Sequence, residues 1–170
     1  AITPKTKMLI FNSPSNPTGA VYTEEEVRAI AKVCEEAEIF VLSDEIYEKL
    51  IYEGKHISIA SFNDEIKDLT ITINGVSKSY AMTGWRIGFS ASNPTIAKVM
   101  ANYLSHSTGA PSTISQWAAV EALNGPQEGI KEMRDIFEQR RNYIVERMNK
   151  IEGVSCIKPD GAFYIMMNIE

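Results

Sequence analysis

The sequence predicts an α/β protein with a mostly parallel β-sheet, and three observations support this. Short runs of apolar and β-branched residues alternate with segments whose apolar residues recur at helical spacing. This alternation is typical of parallel strands joined by helices that cover the sheet. The chain has 170 residues, of which 44% are apolar, so it is large enough to bury a core.

The strands of the predicted sheet are Met8 to Phe11, Ile39 to Leu42, Leu69 to Ile73 and Arg86 to Ser90. The helix after the first strand begins with a capping box, in which Thr23 and Glu26 satisfy each other's backbone groups. Its apolar face is expected to pack on the sheet and comprises Val27, Ile30, Ala31 and Cys34. The segment between the second and third strands is interpreted as a polar connection.

Helical spacing returns after the fourth strand. Helices are predicted behind Pro94, from Ser112 to Leu123, and from Pro126 until Gly153 ends the pattern. On the last helix, the charged residues Arg134, Glu138 and Arg141 are interpreted as a solvated face.

Two further strands, Val154 to Lys158 and Ala162 to Ile169, are predicted around a Pro159-Asp-Gly161 turn. We therefore predict an incomplete cofactor-binding segment of a larger domain at residues 1–125. Residues 126–170 are predicted as a connecting helix and the first strands of a smaller α+β domain. Because a strand follows Ala1 almost at once and the chain stops inside an apolar run, we expect a piece of a longer protein.

Composition argues against several classes of partner. The net charge of -5 does not favour nucleic acid or a membrane surface. No apolar run approaches the roughly 20 residues that span a bilayer, so a cytoplasmic protein is expected. Cys34 and Cys156 lack metal-ligand spacing and are predicted to be buried thiols. His56 and His106 are expected to be structural or exposed, and no metal site is expected.

Polar residues follow each of the first three strands. Asn16 lies in Ser15-Asn-Pro-Thr-Gly19, Asp44 in Ser43-Asp-Glu-Ile-Tyr47, and Lys78 in Gly75-Val-Ser-Lys78. Ligands of open α/β sheets bind outside the carboxyl ends of the strands. We therefore expect one amide, one carboxylate and one amine to face a common crevice.

Pyridoxal phosphate has groups that match this set of side chains. Its aldehyde reacts with a lysine amine, and an acidic partner keeps its ring nitrogen protonated so that the ring withdraws electrons. Lys78 and Asp44 suit these two groups. Tyr47 and Asn16 can donate to the phenolic oxygen, and the planar guanidinium of Arg86 can bind the phosphate through two hydrogen bonds.

These motifs resemble those of a known family. Gly75-Val-Ser-Lys78, followed by Ala81-Met82, Gly84 and Arg86-Ile-Gly88, resembles the lysine-attachment signature of the class I and II aminotransferases of fold type I. Asn16-Pro-Thr-Gly19, Ser43-Asp-Glu-Ile-Tyr47 and Pro159-Asp-Gly-Ala-Phe-Tyr164 are similar to that family's other markers, in the same order. The resemblance covers the whole chain.

The resemblance implies a partial large domain of the PLP-dependent transferase-like fold, in which the fourth strand is antiparallel. It implies that Lys78 forms the internal aldimine and moves the proton of the substrate Cα, while Asp44 pairs with the pyridinium. Tyr47 and Asn16 would bind the phenolate oxygen, Arg86 the phosphate, and Asn16 also the substrate carboxylate. It also implies a homodimer and a cis peptide bond before Pro17.

The chain departs from the family pattern at Gly75, where many members carry a hydroxyl that binds phosphate. Ser77 is the nearest hydroxyl and is a candidate for that contact. The glycine-rich phosphate turn, the aromatic residue that stacks on the ring and the arginine that binds the substrate carboxylate are expected outside this chain.

The function predicted for the parent protein is PLP-dependent transfer of an amino group between an amino acid and a 2-oxo acid. Tyr80 to Gly88 looks most like the prokaryotic aspartate aminotransferases, which suggests aspartate as the donor. One alternative is a PLP-dependent lyase, decarboxylase or condensing enzyme on the same fold. A second is a PLP-binding sensor domain of a transcription regulator, without turnover. The isolated chain is expected to be inactive.

Overall fold

The structure is a computed structural model, and it describes residues 1–169. In chain order the strands and helices are β1 (Met8–Asn12), α1 (Glu24–Glu36), β2 (Phe40–Asp44), α2 (Asp64–Leu69), β3 (Thr70–Gly75), β4 (Gly88–Ala91), α3 (Pro94–Ser107), α4 (Thr113–Asn124), α5 (Glu128–Met148), β5 (Val154–Cys156) and β6 (Met167–Ile169). Within this part of the chain, no helix is both long and apolar enough to cross a membrane.

The first four strands form one sheet in the order β1-β2-β3-β4. β1, β2 and β3 are parallel, whereas β4 runs antiparallel to β3. In the register, Asn12 is opposite Asp44, and Asp44 is opposite Ile73. The carboxyl ends of the three parallel strands therefore lie side by side, and the predicted α/β class with a mostly parallel sheet is confirmed.

One hydrophobic core lies between the sheet and α1. Thr23 and Glu26 form the predicted capping box, with the Thr23 hydroxyl accepting from the Glu26 amide. Val27, Ala31 and Cys34 are buried in this core, as the helical spacing predicts. The core residues from other elements are Phe11, Ile39, Val41, Ile59 and Ile66.

The interpretation of the β2–β3 segment as a polar connection is wrong. It contains a 3₁₀ turn at Ile59–Ser61 and the helix α2, which the Asn63 side chain caps by accepting from the Ile66 amide. Ile59 and Ile66 are fully buried in the core. The charged residues of α2 lie on its exposed face. They made the segment look like a polar loop, because the helix is too short to show a repeating pattern of apolar residues.

The last two strands form a separate antiparallel pair, in which Val154 is opposite Ile169. Both are shorter than predicted, because residues 159–162 pack against the β2–α2 connection instead of extending a strand. The Tyr52 amide donates to the Asp160 carbonyl at 2.8 Å, and the Ala162 amide donates to the Leu50 carbonyl at 2.8 Å. The boundary at residue 125 stays a prediction.

Two predictions about individual side chains in this half are wrong. Cys156 is partly exposed, whereas Cys34 is buried as expected. Arg141 is buried, with only 4% of its surface exposed, and is not part of a solvated face. Its guanidinium donates to the Pro159 carbonyl at 2.9 Å, because α5 lies across a segment whose carbonyl needs a buried donor. Glu138 and Glu53 pair with the same guanidinium at 3.2 and 3.4 Å.

His56, which the sequence analysis expected to be structural or exposed, is hydrogen-bonded to the buried carboxylate of Glu45. The His56 Nε2 lies 2.9 Å from one Glu45 oxygen. The hydroxyls of Ser43 and Ser58 donate to the other oxygen at 2.9 and 2.8 Å. Burial by itself raises the pKa of Glu45, but the hydrogen bonds from His56, Ser58 and Ser43 outweigh it and the pKa lies below its ordinary value. This carboxylate ties the end of β2 to the segment that leads to α2.

The lowered pKa of Glu45 gives a pH-dependent prediction. The folded pKa lies below the unfolded value near 4.5, so the stabilisation is present at neutral pH and is lost as the pH falls through the folded pKa. Glu45→Gln should lower the free energy of unfolding by about 2 kcal/mol at neutral pH, because buried hydrogen bonds to a charge are lost. Urea unfolding over a pH series should show this deficit shrinking in acid. Glu25→Gln, an exposed change on α1, is the control, and a deficit for Glu45→Gln that is equal at every pH would contradict the account.

Candidate functional site

Three loops meet at the edge formed by the carboxyl ends of β1, β2 and β3. Asn16 lies in the loop after β1, Asp44 and Tyr47 at the end of β2 and just beyond it, and Lys78 in the turn after β3. Asn16 is exposed, Asp44 and Lys78 are half-buried, and Tyr47 is buried. The peptide bond between Asn16 and Pro17 is cis, as the resemblance implied, and that between Ser13 and Pro14 is also cis.

Asp44 is fixed by contacts on both its side chain and its backbone. One carboxylate oxygen accepts from the Ile46 amide at 3.2 Å, and its carbonyl accepts from the Asn12 side chain at 3.0 Å. The Asn12 amide oxygen in turn accepts from the Asn16 backbone at 2.7 Å. Asn12 therefore holds the first two loops together. Sequence reasoning missed this residue, although an asparagine that ends a parallel strand is a usable signal.

The hydroxyl of Tyr47 is the most strongly perturbed group at this edge. Burial raises the pKa of Tyr47 far above its ordinary value, and the Tyr164 hydroxyl and the negative charge of Asp44 raise it further, while the Asn16 side chain lowers it. Of these neighbours, Tyr164 is in direct hydrogen-bond contact with the Tyr47 hydroxyl. Tyr47 is therefore neutral near physiological pH and has a proton to donate.

Lys78 lies in a turn near the start of the connection between β3 and β4. The Ala81 amide donates to the Lys78 carbonyl at 3.2 Å, and the Lys78 ammonium lies 5.8 Å from the centroid of the Phe163 ring. A Cβ atom at Gly75 would lie 2.8 Å from the Ile87 carbonyl oxygen. The missing hydroxyl at this position is therefore explained, because the turn leaves no room for a side chain there.

Arg86 and Ser77 belong to the same loop as Lys78. Gly75 is paired with Gly88 at the base of this loop, so that its two ends are adjacent. Arg86 is exposed, has a left-handed φ of 54°, and donates to the Thr83 carbonyl at 3.0 Å. Ser77 is half-buried beside Lys78. Asn16, Asp44, Tyr47 and Lys78 thus follow three adjacent strand ends. The Phe163 ring lies near both Lys78 and Tyr47, while the described bond of Arg86 is to its own turn.

The segment 159–164, which the sequence identified only as a family marker, packs against the loop after β1 and beside Tyr47. The Gly19 carbonyl accepts from the amides of Asp160 and Gly161 at 3.1 and 2.8 Å. A Cβ at Gly19 would lie 2.3 Å from the Pro159 Cβ, so only glycine permits this approach. The segment was predicted as a turn entering a strand, and its aromatic residues were given no role. The signal for them was the Phe163-Tyr164 pair, which follows the Pro159-Asp-Gly161 motif after one intervening alanine.

The Phe163 ring connects the amine to the phenol. Its centroid is 5.4 Å from that of Tyr47 and 4.9 Å from that of Tyr164. This edge of the sheet therefore presents a primary amine, a carboxylate, a neutral phenol and an amide, with the Phe163 ring near the amine and the phenol. An aldehyde, a basic ring nitrogen and a phenolic oxygen find suitable partners in this set, so the residues fit pyridoxal phosphate.

Comparison with known proteins shows the same organisation in much longer chains. The aspartate aminotransferase of Bacillus subtilis (strain 168) is 55% identical over 169 residues, which are 99% of this chain and 43% of that protein. A probable aspartate/prephenate aminotransferase of Aquifex aeolicus (strain VF5) is 50% identical, over 96% of this chain and 42% of its own length. The crystal structure of the aspartate aminotransferase from Rhizobium meliloti superposes with a TM-score of 0.94 at 43% identity, covering 98% of this chain and 42% of that one. The chain spans less than half the length of these relatives.

The family described as aminotransferase class I and II matches residues 1–170, the full extent of the chain. The chain belongs to the class I and II aminotransferases and has their fold type I architecture.

Proposed function

We propose that the protein containing this chain transfers an amino group between an amino acid and a 2-oxo acid, with pyridoxal 5'-phosphate as its cofactor. The observation that supports this most strongly is that Lys78, Asp44 and Tyr47 follow adjacent parallel strands at one edge of the sheet in a chain of this family. An amine, a carboxylate and a hydroxyl at one strand edge are what the carbonyl, ring nitrogen and phenolic oxygen of that cofactor require.

The proposal assigns each side chain a place on the cofactor. Lys78 holds the aldehyde carbon, Asp44 the ring nitrogen, and Tyr47 and Asn16 the phenolic oxygen. The guanidinium of Arg86 holds the phosphate, and the Ser77 hydroxyl is a second phosphate donor. When bound, the cofactor supplies a carbonyl that condenses with amines and a ring that accepts electrons from the substrate Cα.

The chain's own residues control protons at this site. Lys78 is assigned the removal of the proton from the substrate Cα and its return to the carbon next to the ring, because a positioned amine can act first as a general base and then as a general acid. Asp44 keeps a proton on the ring nitrogen, because a carboxylate beside the ring favours its charged form. Tyr47 donates its proton to the phenolic oxygen, and Asn16 also orients the substrate carboxylate.

We propose aspartate as the amino donor, supported by the names of the relatives from Bacillus subtilis and Geobacillus stearothermophilus, which are aspartate aminotransferases. Prephenate is a second candidate acceptor, since the Aquifex aeolicus relative is called a probable aspartate/prephenate aminotransferase. The lyase, decarboxylase and sensor alternatives are distinguished by whether an amino group is transferred. The homodimer, the cytoplasmic location and the inactivity of this segment alone stay predictions.

The first test concerns Lys78 in the full-length protein. Lys78→Ala should abolish the covalent attachment of pyridoxal phosphate, because among the described residues Lys78 is the lysine whose amine lies over the Phe163 ring. Borohydride reduction followed by mass spectrometry of the peptides measures this attachment. Lys49→Ala, which changes a largely exposed lysine paired with Glu48, is the control and should label like the wild type. Equal labelling of the Lys78→Ala protein would reject the assignment.

The second test separates cofactor chemistry from cofactor retention. Asp44→Ala should reduce aspartate-dependent amino transfer on the order of 100-fold, the usual cost of removing one group that stabilises developing charge. Cofactor content should fall much less, because Lys78 and Arg86 remain. Coupled assay of the oxo-acid product and absorbance of the bound cofactor measure the two quantities. Asp68→Ala, on the exposed face of α2, is the control, and near-normal transfer by Asp44→Ala would show that another group protonates the ring.

A further inference from the structure

We propose that Tyr164 is a positioning residue that fixes the direction in which Tyr47 donates its proton. This inference rests on the proposed function, because it concerns the hydroxyl that faces the cofactor's phenolic oxygen. The hydroxyl oxygens of Tyr164 and Tyr47 are 2.5 Å apart, although the two residues are separated by 117 positions in the sequence. Their rings meet edge to face, with centroids 5.7 Å apart.

The backbone around Tyr164 is held against the element that carries Tyr47. The Ala162 amide donates to the Leu50 carbonyl at 2.8 Å, and the Leu50 amide donates to the Tyr47 carbonyl at 2.8 Å. The Tyr52 hydroxyl donates to the Ala162 carbonyl. Ala162 and Leu50 are both fully buried. These bonds leave Tyr164 little freedom to move away from Tyr47.

The direction of donation follows from the number of protons available. A phenol hydroxyl has one proton to donate and two lone pairs that accept. Either hydroxyl can donate in this contact, and without cofactor the raised pKa of Tyr47 corresponds to Tyr47 donating to Tyr164. When Tyr47 instead gives its proton to the cofactor, the contact remains a hydrogen bond only if Tyr164 donates to Tyr47. A phenol that accepts such a bond is polarised and becomes a stronger donor to its own acceptor, by roughly 10–30% per bond. Tyr164 therefore strengthens the bond that Tyr47 makes, without itself reaching the cofactor.

A purely structural pair of tyrosines would behave differently. Removing the Tyr164 hydroxyl would then alter the free energy of unfolding and nothing else. Under the proposal it also changes the basicity of the cofactor's phenolic oxygen, because a weaker donor leaves more negative charge there. The pH at which the visible absorption band of the protein-bound cofactor titrates reports this basicity directly, and it does not depend on turnover.

The experiment compares Tyr164→Phe, Tyr47→Phe and the double variant in the full-length protein loaded with pyridoxal phosphate. Tyr164→Phe should raise the pH midpoint of the visible band on the order of half a pH unit. Tyr47→Phe should raise it further, and the double variant should match Tyr47→Phe, because Tyr164 acts only through Tyr47. Tyr52→Phe removes a hydroxyl that binds the same segment but not Tyr47, and it should leave the midpoint unchanged.

Each outcome decides the proposal. A wild-type midpoint in Tyr164→Phe, or a double variant whose shift is the sum of the single shifts, overturns it. A shift of equal size in Tyr52→Phe also overturns it, since the effect would then come from the segment's position. Tyr164→Met provides a second variant without the hydroxyl, and circular dichroism verifies the fold of each. A wild-type protein that binds no pyridoxal phosphate overturns the proposed function and this inference with it, whereas normal binding with no shift overturns the inference alone.

Discussion

The parallel register of the first three strands is the constraint on which the rest of the structure depends. Asn12, Asp44 and Ile73 lie opposite one another, so the chain leaves the sheet three times at one edge. Every side chain proposed to meet the cofactor's ring follows one of these exits within a few residues. A slip of one residue in β2 would turn Asp44 to the other face of the sheet, since side chains alternate along a strand. The hydrogen bonds of Asn12 to the Asp44 carbonyl and the Asn16 amide oppose such a slip.

Buried polar groups secure the surroundings of this edge. Glu45 follows Asp44 directly, and its three hydrogen bonds fix the course of the chain away from β2. The Arg141 guanidinium of α5 donates to the Pro159 carbonyl and so holds the start of the 159–164 segment in place. Breaking either arrangement would leave a charge buried without a partner, which is far more costly than losing a surface ion pair. The position of Tyr164 relative to Tyr47 is therefore set by contacts on both sides of the crevice.

The features that depend on local pattern or on sequence motifs could be predicted from the sequence. Strand alternation, the capping box at Thr23 and the helical spacing of Val27, Ala31 and Cys34 predicted the sheet and α1 correctly. Contacts between distant residues were not predictable in this way. The fold brings together segments that local pattern cannot relate. Three examples are the burial of Arg141, the pairing of His56 with Glu45 and the contact between Tyr47 and Tyr164. The helix α2 was missed because it is too short, and too rich in charged residues, for a helical pattern of apolar residues to be detected.

The central claim is that the loops of this chain already form the lysine side of a pyridoxal phosphate site. Titration of the 170-residue chain with the cofactor, followed by visible absorbance beside a Lys78→Ala variant, tests it most directly. The account predicts a band that saturates near one cofactor per chain and is absent from the variant. Identical absorbance changes in the two proteins would contradict it, because cofactor would then be binding without the amine that the crevice presents.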